Sequence, residues 1–355
     1  MTSNVQHRRM PIELATLGYV LAYLPYVVLT RHLSTSPSGP DGRTLTGLEI
    51  LPGMLISGAV FSIGFIWLVG WNRYVTRLKV GPLRIPFADR WTLASGVCTA
   101  LILVTVPLSY TFQEVSIPFM QLLMRGDILI IAPVVDLMSR RRVHWWSWGA
   151  LGIVGVALVV TLWERGGLNL PWLAILTIVV YTIGYFGRLW IMSKRSKDDD
   201  PEKLRRFFSE EKIVAFPVAI TLLFVVSLLG GQQGRELTWG FTQVWTHPQL
   251  IYIAATGLMV CMTGVFSGFI LLDARENSYC VPLERSASIL AGIFGSALLA
   301  LFLGGRMPSA AEFIGAGLLI LALTLLWFGP RIRDGAKARA ALRDARREAA
   351  AESPS

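Results

Sequence analysis

Ten stretches of about 20 predominantly apolar residues follow one another along the chain and constrain its fold more than any other feature. The hydrocarbon core of a bilayer is ~30 Å thick, and a helix needs ~20 residues to cross it with its backbone polar groups bonded internally. The sequence therefore predicts an all-α integral membrane protein with ten transmembrane helices. The predicted spans are residues 12–30, 49–71, 92–110, 116–138, 146–163, 171–192, 213–229, 249–272, 281–304 and 311–329.

Composition excludes several other classes of protein. Only 16% of the 355 residues are charged, against ~25% in soluble domains, so the chain has too little charge to coat a water-facing surface. With 53% hydrophobic residues and 3 cysteines, it fits neither a disordered chain nor a small disulfide scaffold. A nucleotide-driven pump is not expected, because the Gly-Lys-Ser/Thr end of a phosphate loop does not occur. Histidines and cysteines are widely scattered, so we predict no metal and no cofactor.

Basic residues predict the orientation, since short cytoplasmic loops retain lysine and arginine during insertion. The amino terminus, the loops after spans 2, 4, 6 and 8, and the carboxyl tail together hold 25 of the 33 lysines and arginines. The loops on the other side hold 5. Both termini are therefore predicted to be cytoplasmic. This topology accounts for most of the net charge of +10, so we expect no nucleic-acid partner.

Two halves of five spans each are indicated by a repeated pattern. Pro118 opens span 4 and precedes Gly149 of span 5 by 31 residues, while Pro282 opens span 9 and precedes Gly315 of span 10 by 33 residues. Because each half has an odd number of spans, the halves insert in opposite orientations, as in many secondary transporters. The predicted organisation is a first repeat over 1–163, a second over 164–329 with a cytosolic linker at 193–212, and a basic cytosolic tail over 330–355.

The same segments resemble the drug/metabolite transporter superfamily. The resemblance rests on Val115-Ser116-Ile117-Pro118 through Arg140-Arg141-Arg142 to Gly155, and on Tyr279-Cys280-Val281-Pro282 through Gly304-Gly305-Arg306 to Gly315. Residues 121–126 are similar to the fourth helix of its nucleotide-sugar-transporter-like branch, and the whole pattern is similar to EamA-like carriers. The resemblance implies ten helices in two inverted five-helix repeats, a cavity lined by helices 1–4 and 6–9, and a homodimer contact through helices 5 or 10. It also implies a bacterial inner-membrane protein.

Two charges lie near the centre of span 4, where a charged side chain costs ~2.5–3.5 kcal/mol. Arg125 and Asp127 are two residues apart, hence ~200° apart around a helix, so each needs its own partner. We expect Arg125, with Gln121 one turn away on the same face, to point into a cavity and bind an anionic substrate group.

Span 1 carries a polar-aromatic stripe at helical spacing, and span 6 carries another at the same place in its repeat. Hydroxyl groups facing only lipid would have no hydrogen-bond partner, so we interpret both stripes as cavity walls. The alternative is hydroxyls bonded between helices, with the span 6 arginine snorkelling to the cytosolic interface. The candidate substrate-binding residues on these stripes are Tyr19, Tyr23, Tyr26, Tyr181, Tyr185 and Arg188.

Glu284 and Arg285 lie just inside span 9. A carboxylate there can take up a proton and couple transport to a proton gradient. Two alternatives remain. In the first, Glu284 stabilises the helix start through the dipole. In the second, the charges of span 4 form structural ion pairs with residues of other helices. In the second case Glu284 or Glu49 pairs with Arg125, and Arg285 pairs with Asp127.

We therefore expect a secondary-active carrier, and not an enzyme, that moves a small polar or anionic metabolite or drug by alternating access. One alternative is a lipid or polyprenyl-phosphate carrier, because a buried arginine binds a lipid phosphate equally well. A membrane lipid-phosphate transferase is the weaker alternative, resting on Asp198-Asp199-Asp200 as a magnesium motif without a second cluster. The tail from 331 is expected to be a solvated extension, with a helix on the anionic inner leaflet as the alternative.

Overall fold

The computed structural model describes residues 11–37, 42–80, 83–112, 115–125, 128–140, 143–164, 170–195, 200–273, 275–304, 307 and 309–351. Within these residues the chain forms twelve α-helices and one β-hairpin. The helices are α1 (Ile12–Thr35), α2 (Gly47–Leu68), α3 (Arg90–Thr111), α4 (Ile117–Arg125), α5 (Ile128–Met138), α6 (Trp145–Glu164), α7 (Trp172–Arg195), α8 (Pro201–Leu228), α9 (Gly231–Thr242), α10 (Leu250–Leu271), α11 (Asn277–Leu303) and α12 (Ala310–Ala351). The hairpin strands are β1 (Arg77–Val80) and β2 (Leu83–Pro86).

Eight of the described helices are long and apolar enough to cross a bilayer: α1, α2, α3, α7, α8, α10, α11 and α12. They correspond to eight of the ten predicted spans, and the protein is an α-helical membrane protein. The predicted span 5 corresponds to α6, whose apolar part, Trp145–Val160, is shorter. The described residues of predicted span 4 are helical in α4 and α5, and residues 126–127 between them lie outside the described part of the chain.

Helices from the two halves of the sequence pack against each other. The main packing partners are α1 with α10 and α11, α2 with α10, α3 with α7 and α8, and α6 with α12. Glycines permit two of these close approaches. A side chain at Gly184 of α7 would lie 2.8 Å from the carbonyl oxygen of Cys98 in α3, and one at Gly257 of α10 would lie 2.7 Å from the backbone of α2.

The β-hairpin between α2 and α3 is attached to the start of α8 through one carboxylate. The backbone N–H groups of Thr76 and Asp89 donate to the Glu210 carboxylate over 3.0 and 3.2 Å, and Arg206 Nε donates to it over 2.9 Å. The described residues on both sides of the hairpin are therefore held by a tertiary contact, although no membrane-spanning pattern marks this segment.

The carboxyl tail continues the last apolar helix. Helix α12 runs from Ala310 to Ala351 with Pro330 inside it. The tail is thus helical through Ala351.

A second buried carboxylate connects three helices at one end of the bundle. Asp136 of α5 is fully buried and lies at the amino terminus of α11. It accepts hydrogen bonds from the backbone N–H groups of Asn277 (3.1 Å) and Ser278 (2.7 Å), and from the side chains of both residues. The Asn277 amide also donates to Ser193 of α7 over 2.6 Å. One carboxylate thus satisfies the N–H groups that begin α11 and faces the positive end of its dipole.

We predict that Asp136→Ala lowers the free energy of unfolding by on the order of 2 kcal/mol, because it leaves buried N–H groups at the start of α11 without an acceptor. The measurement is the melting temperature of the purified protein in detergent. Asp334→Asn is the control, since Asp334 is mostly exposed and pairs only with Arg333 among the described residues. Equal melting temperatures for the two variants would contradict this role of Asp136.

Candidate substrate cavity

A cavity whose lining includes polar and charged side chains lies between helices of both halves of the chain. Its walls come from α1, α3, α7, α8, α10 and α11, and its volume is about 90 Å³. A space of this size holds several water molecules or a compact ligand group. Its polar or charged lining residues are Tyr19, Tyr23, Tyr26, Thr99, Tyr181, Tyr185, Arg188, Lys212, Thr263, Ser267, Glu284 and Arg285.

All five tyrosines of the predicted stripes line this cavity, and each is at most 3% exposed. On α1, the rings of Tyr19 and Tyr23 lie 5.1 Å apart between centroids. On α7, Tyr181 and Tyr185 are stacked with 5.9 Å between centroids. The Tyr23 hydroxyl is hydrogen-bonded to that of Tyr110 in α3. The stripes therefore present aromatic faces to the cavity and also join helices through hydroxyl groups.

Arg188 contributes to the cavity wall and forms a buried ion pair with Glu211 of α8. Its Nε and Nη2 donate to the two carboxylate oxygens over 2.8 and 2.9 Å. Ser95 and Thr99 of α3 donate to the same carboxylate over 2.8 and 2.9 Å. Four donors from two neighbouring helices thus fill the acceptor positions of Glu211, as burial of a carboxylate requires.

Glu284 and Arg285 of α11 also line the cavity. The Ser267 hydroxyl donates to Glu284 over 2.6 Å, and the Tyr185 hydroxyl lies 3.5 Å from its other oxygen. The Arg285 guanidinium lies 3.9 Å from Glu284 and 3.6 Å from the centroid of the Tyr185 ring. A cation–π contact and a long ion pair therefore hold Arg285 against the tyrosine wall.

Lys212 of α8 is the fourth ionisable residue of the lining. Its side chain is 4% exposed, and its Nζ lies 5.6 and 5.9 Å from the ring centroids of Phe208 and Phe216. The nearest wall on the other side is α10, where a side chain at Gly264 would lie 2.7 Å from Nζ. The absence of a side chain at Gly264 leaves room for the ammonium group.

The predicted residues of span 4 are placed differently. Gln121 is 1% exposed, donates to the Tyr110 hydroxyl over 3.2 Å, and packs against Gly292 of α11; it is not among the lining residues of the described cavity. Arg125 is the last described residue of α4, but its side chain lies outside the described part, and Asp127 lies outside the described residues altogether. Among the partners considered for Arg125, Glu49 binds Arg43 over 2.7 Å.

Sequence reasoning missed Glu211 and Lys212. Both were assigned to the basic linker 193–212, because hydropathy places the start of span 7 at residue 213. Helix α8 begins twelve residues earlier, at Pro201, where the Asp200 carboxylate caps it. An acidic residue beside a lysine immediately before an apolar stretch was the available signal. It does not distinguish a solvated helix end from a buried pair.

Comparisons with known proteins give a fold and no function. No protein-family model matches the chain, and no curated protein matches it. Among chains of solved structure, 27 match. One, described only as "Crystal structure of protein", is 12% identical, with a TM-score of 0.58 over 90% of this chain and 96% of that chain. At this identity the likeness shows a shared fold alone.

We predict that Arg188→Met lowers the free energy of unfolding by about 3–5 kcal/mol, because it leaves Glu211 buried without its cation. The double variant Arg188→Met/Glu211→Gln should recover much of this loss, since neither charge remains. The measurement is denaturant unfolding in detergent, analysed as a double-mutant cycle.

Arg206→Met is the matched control. Arg206 pairs with Glu210 on the same helix, but its side chain is 48% exposed, so the expected loss of unfolding free energy is below about 1 kcal/mol. Similar losses for Arg188→Met and Arg206→Met would contradict the prediction.

Proposed function

We propose that the chain is a secondary-active carrier of a small polar metabolite or drug that works by alternating access. The main supporting observation is the cavity, which lies among apolar helices from both halves of the sequence and has the charged side chains of Arg188, Lys212, Glu284 and Arg285 in its lining. Ionisable side chains are rare within membrane spans, and where they occur they commonly mark substrate or ion pathways. An aqueous cavity between two bundles is the place where a carrier of this kind binds its substrate.

We further propose that the bundle consists of two inverted five-helix repeats of the drug/metabolite transporter type. The packing pattern supports this arrangement. The first repeat would comprise α1, α2, α3, α4 with α5, and α6, and the second α7, α8, α10, α11 and α12. Exchanging these repeats converts the main packing contacts into one another, except that of α1 with α11, whose counterpart between α7 and α4 with α5 is much smaller. The contact of α1 with α10 becomes that of α7 with α3, and the contact of α2 with α10 becomes that of α8 with α3. The contact of α6 with α12 is converted into itself.

Hydrogen bonds at helix starts support the same exchange. Ser116, immediately before α4, donates to Glu312 in the first turn of α12. Ser147, in the first turn of α6, donates to Glu276, immediately before α11. Under the exchange of repeats α4 corresponds to α11, and α12 corresponds to α6, so the two serine–glutamate contacts are counterparts at opposite ends of the bundle.

The proposed driving force is an ion gradient or exchange. Glu284 is the proposed proton-coupling group, because it lines the cavity beside Arg285 and is 4% exposed. We place the carrier in a bacterial inner membrane with both termini in the cytoplasm. Helices α6 and α12 carry exposed apolar side chains, including Val156, Val159, Phe313 and Ile314, which suit contact with lipid or with a second copy.

Reporter fusions test the proposed topology. Alkaline phosphatase fused after Ser355, or before Met1, should be inactive in a bacterial host, because both sites would remain in the cytoplasm. The same enzyme fused after Pro37, downstream of α1 alone, should be active. Phosphatase activity at one terminus only would require an odd number of spans and would exclude two five-helix repeats.

Thiol labelling tests alternating access. In a variant with Cys98, Cys261 and Cys280 replaced by serine, Thr263→Cys should react with a membrane-impermeant methanethiosulfonate in both right-side-out and inside-out vesicles. Val60→Cys on α2 is the control and should not react from either side, because Val60 is 64% exposed on the outer surface of the helix bundle, where lipid would shield it. Labelling of Thr263→Cys from one side only, or from neither, would argue against a carrier.

A further inference from the structure

We infer that the ammonium group of Lys212 is the binding point for the acid group of a small organic anion, a carboxylate or a phosphate ester. This inference rests on the proposed function, because it treats the cavity as a substrate site. It differs from the expectation from sequence, in which Arg125 of span 4 holds the anion.

The first support is the set of partners around Lys212. Its side chain is 4% exposed and lines the cavity, yet no carboxylate of the described residues lies within ion-pair distance of Nζ. The rings of Phe208 and Phe216 offset part of the cost of burying the charge, but a ring face accepts no strong hydrogen bond. An ammonium group has three N–H donors, so a site with these neighbours has donor capacity for a ligand.

The adjacent carboxylate does not fill this role. Glu211 and Lys212 are consecutive on α8 and therefore point ~100° apart. The two Glu211 oxygens are directed to Arg188, and they also accept from the hydroxyl groups of Ser95 and Thr99. Moving Glu211 toward Lys212 would break four hydrogen bonds. Lys212 faces Gly264 on the other side of its helix.

Charge balance around the cavity supports the same conclusion. Arg188 pairs with Glu211 and Arg285 with Glu284, so among the charged residues of the lining and their ion-pair partners Lys212 leaves one positive charge in excess. An excess charge surrounded by apolar helices is unfavourable, and a bound anion neutralises it. A cavity of about 90 Å³ has room for an acid group and a compact part of the molecule that carries it. The rest of the ligand would lie against the aromatic faces of Tyr181 and Tyr185 or of Tyr19 and Tyr23.

Thermal shift in neutral detergent tests the inference with matched pairs of an acid and its neutral analogue. The pairs are indole-3-acetate with indole-3-acetamide, and glucose 6-phosphate with glucose; inorganic phosphate is tested alone. At least one acid should raise the melting temperature of the wild-type protein while its neutral analogue does not. In Lys212→Met the concentration needed for half the shift should rise at least about tenfold, and Lys212→Arg should retain part of the effect.

Two further variants complete the test. Lys203→Met is the matched control, because Lys203 is exposed on the same helix, and its response to the acids should equal that of the wild type. Gly264→Ala keeps the charge of Lys212 but places a methyl group 2.7 Å from Nζ, so it should weaken acid binding even if Lys212→Met fails to fold.

Several outcomes would overturn the inference. The first is that Lys212→Met or Gly264→Ala needs the same acid concentration as the wild type for half the shift in melting temperature. The second is that acids and their neutral analogues raise the melting temperature equally. The third is that no acid raises the melting temperature of the wild type. A Lys212-dependent shift produced by phosphatidylglycerol but not by the soluble acids would assign the same chemistry to a lipid headgroup and exclude a soluble anion. If Thr263→Cys is labelled from both faces while one of these outcomes is found, the proposed carrier function is retained and only the anion site at Lys212 is rejected.

Discussion

The structure depends on how ionisable side chains are satisfied inside a bundle of apolar helices. Lipid offers no hydrogen bonds, so each buried charge must find its partners on neighbouring helices. Glu211 does so with four donors from α3 and α7, Asp136 with four from the start of α11, and Glu284 with Ser267, Tyr185 and Arg285. These contacts position α3, α7, α8, α10 and α11 around one cavity, because moving any of these helices would leave a buried polar group without a partner.

The long helices could be predicted from the sequence because the thickness of a bilayer converts directly into a length of apolar chain. Elements held by tertiary contacts could not. The β-hairpin depends on Glu210, more than 120 residues away, and α9 packs on α2, where Thr46 donates to Glu236 over 2.9 Å. The early start of α8 was also missed, since hydropathy follows lipid contact and ignores a polar helix that continues beyond the bilayer.

Half of the candidate site follows from spacing alone. Tyrosines at intervals of three and four residues share one helical face, and those on α1 and α7 do line the cavity. The polar partners of that cavity come from other helices: Ser267 reaches Glu284 across α10 and α11, and Ser95 reaches Glu211 across α3 and α8. Such pairs have no local signature. Lys212 was interpreted as one more basic residue of a cytosolic loop, because lysine is the residue type that marks cytosolic loops as well as one that binds anions.

The contact of Asp136 with α11 has a consequence for motion. Four hydrogen bonds converge on one carboxylate, and Asn277 extends the connection to Ser193. A small outward displacement of α11 cannot loosen these bonds one at a time, since they share the two oxygens of a single rigid group. Separation of α5 and α11 at this end would therefore be a cooperative, two-state event in which the start of α11 is either fully bonded or fully hydrated.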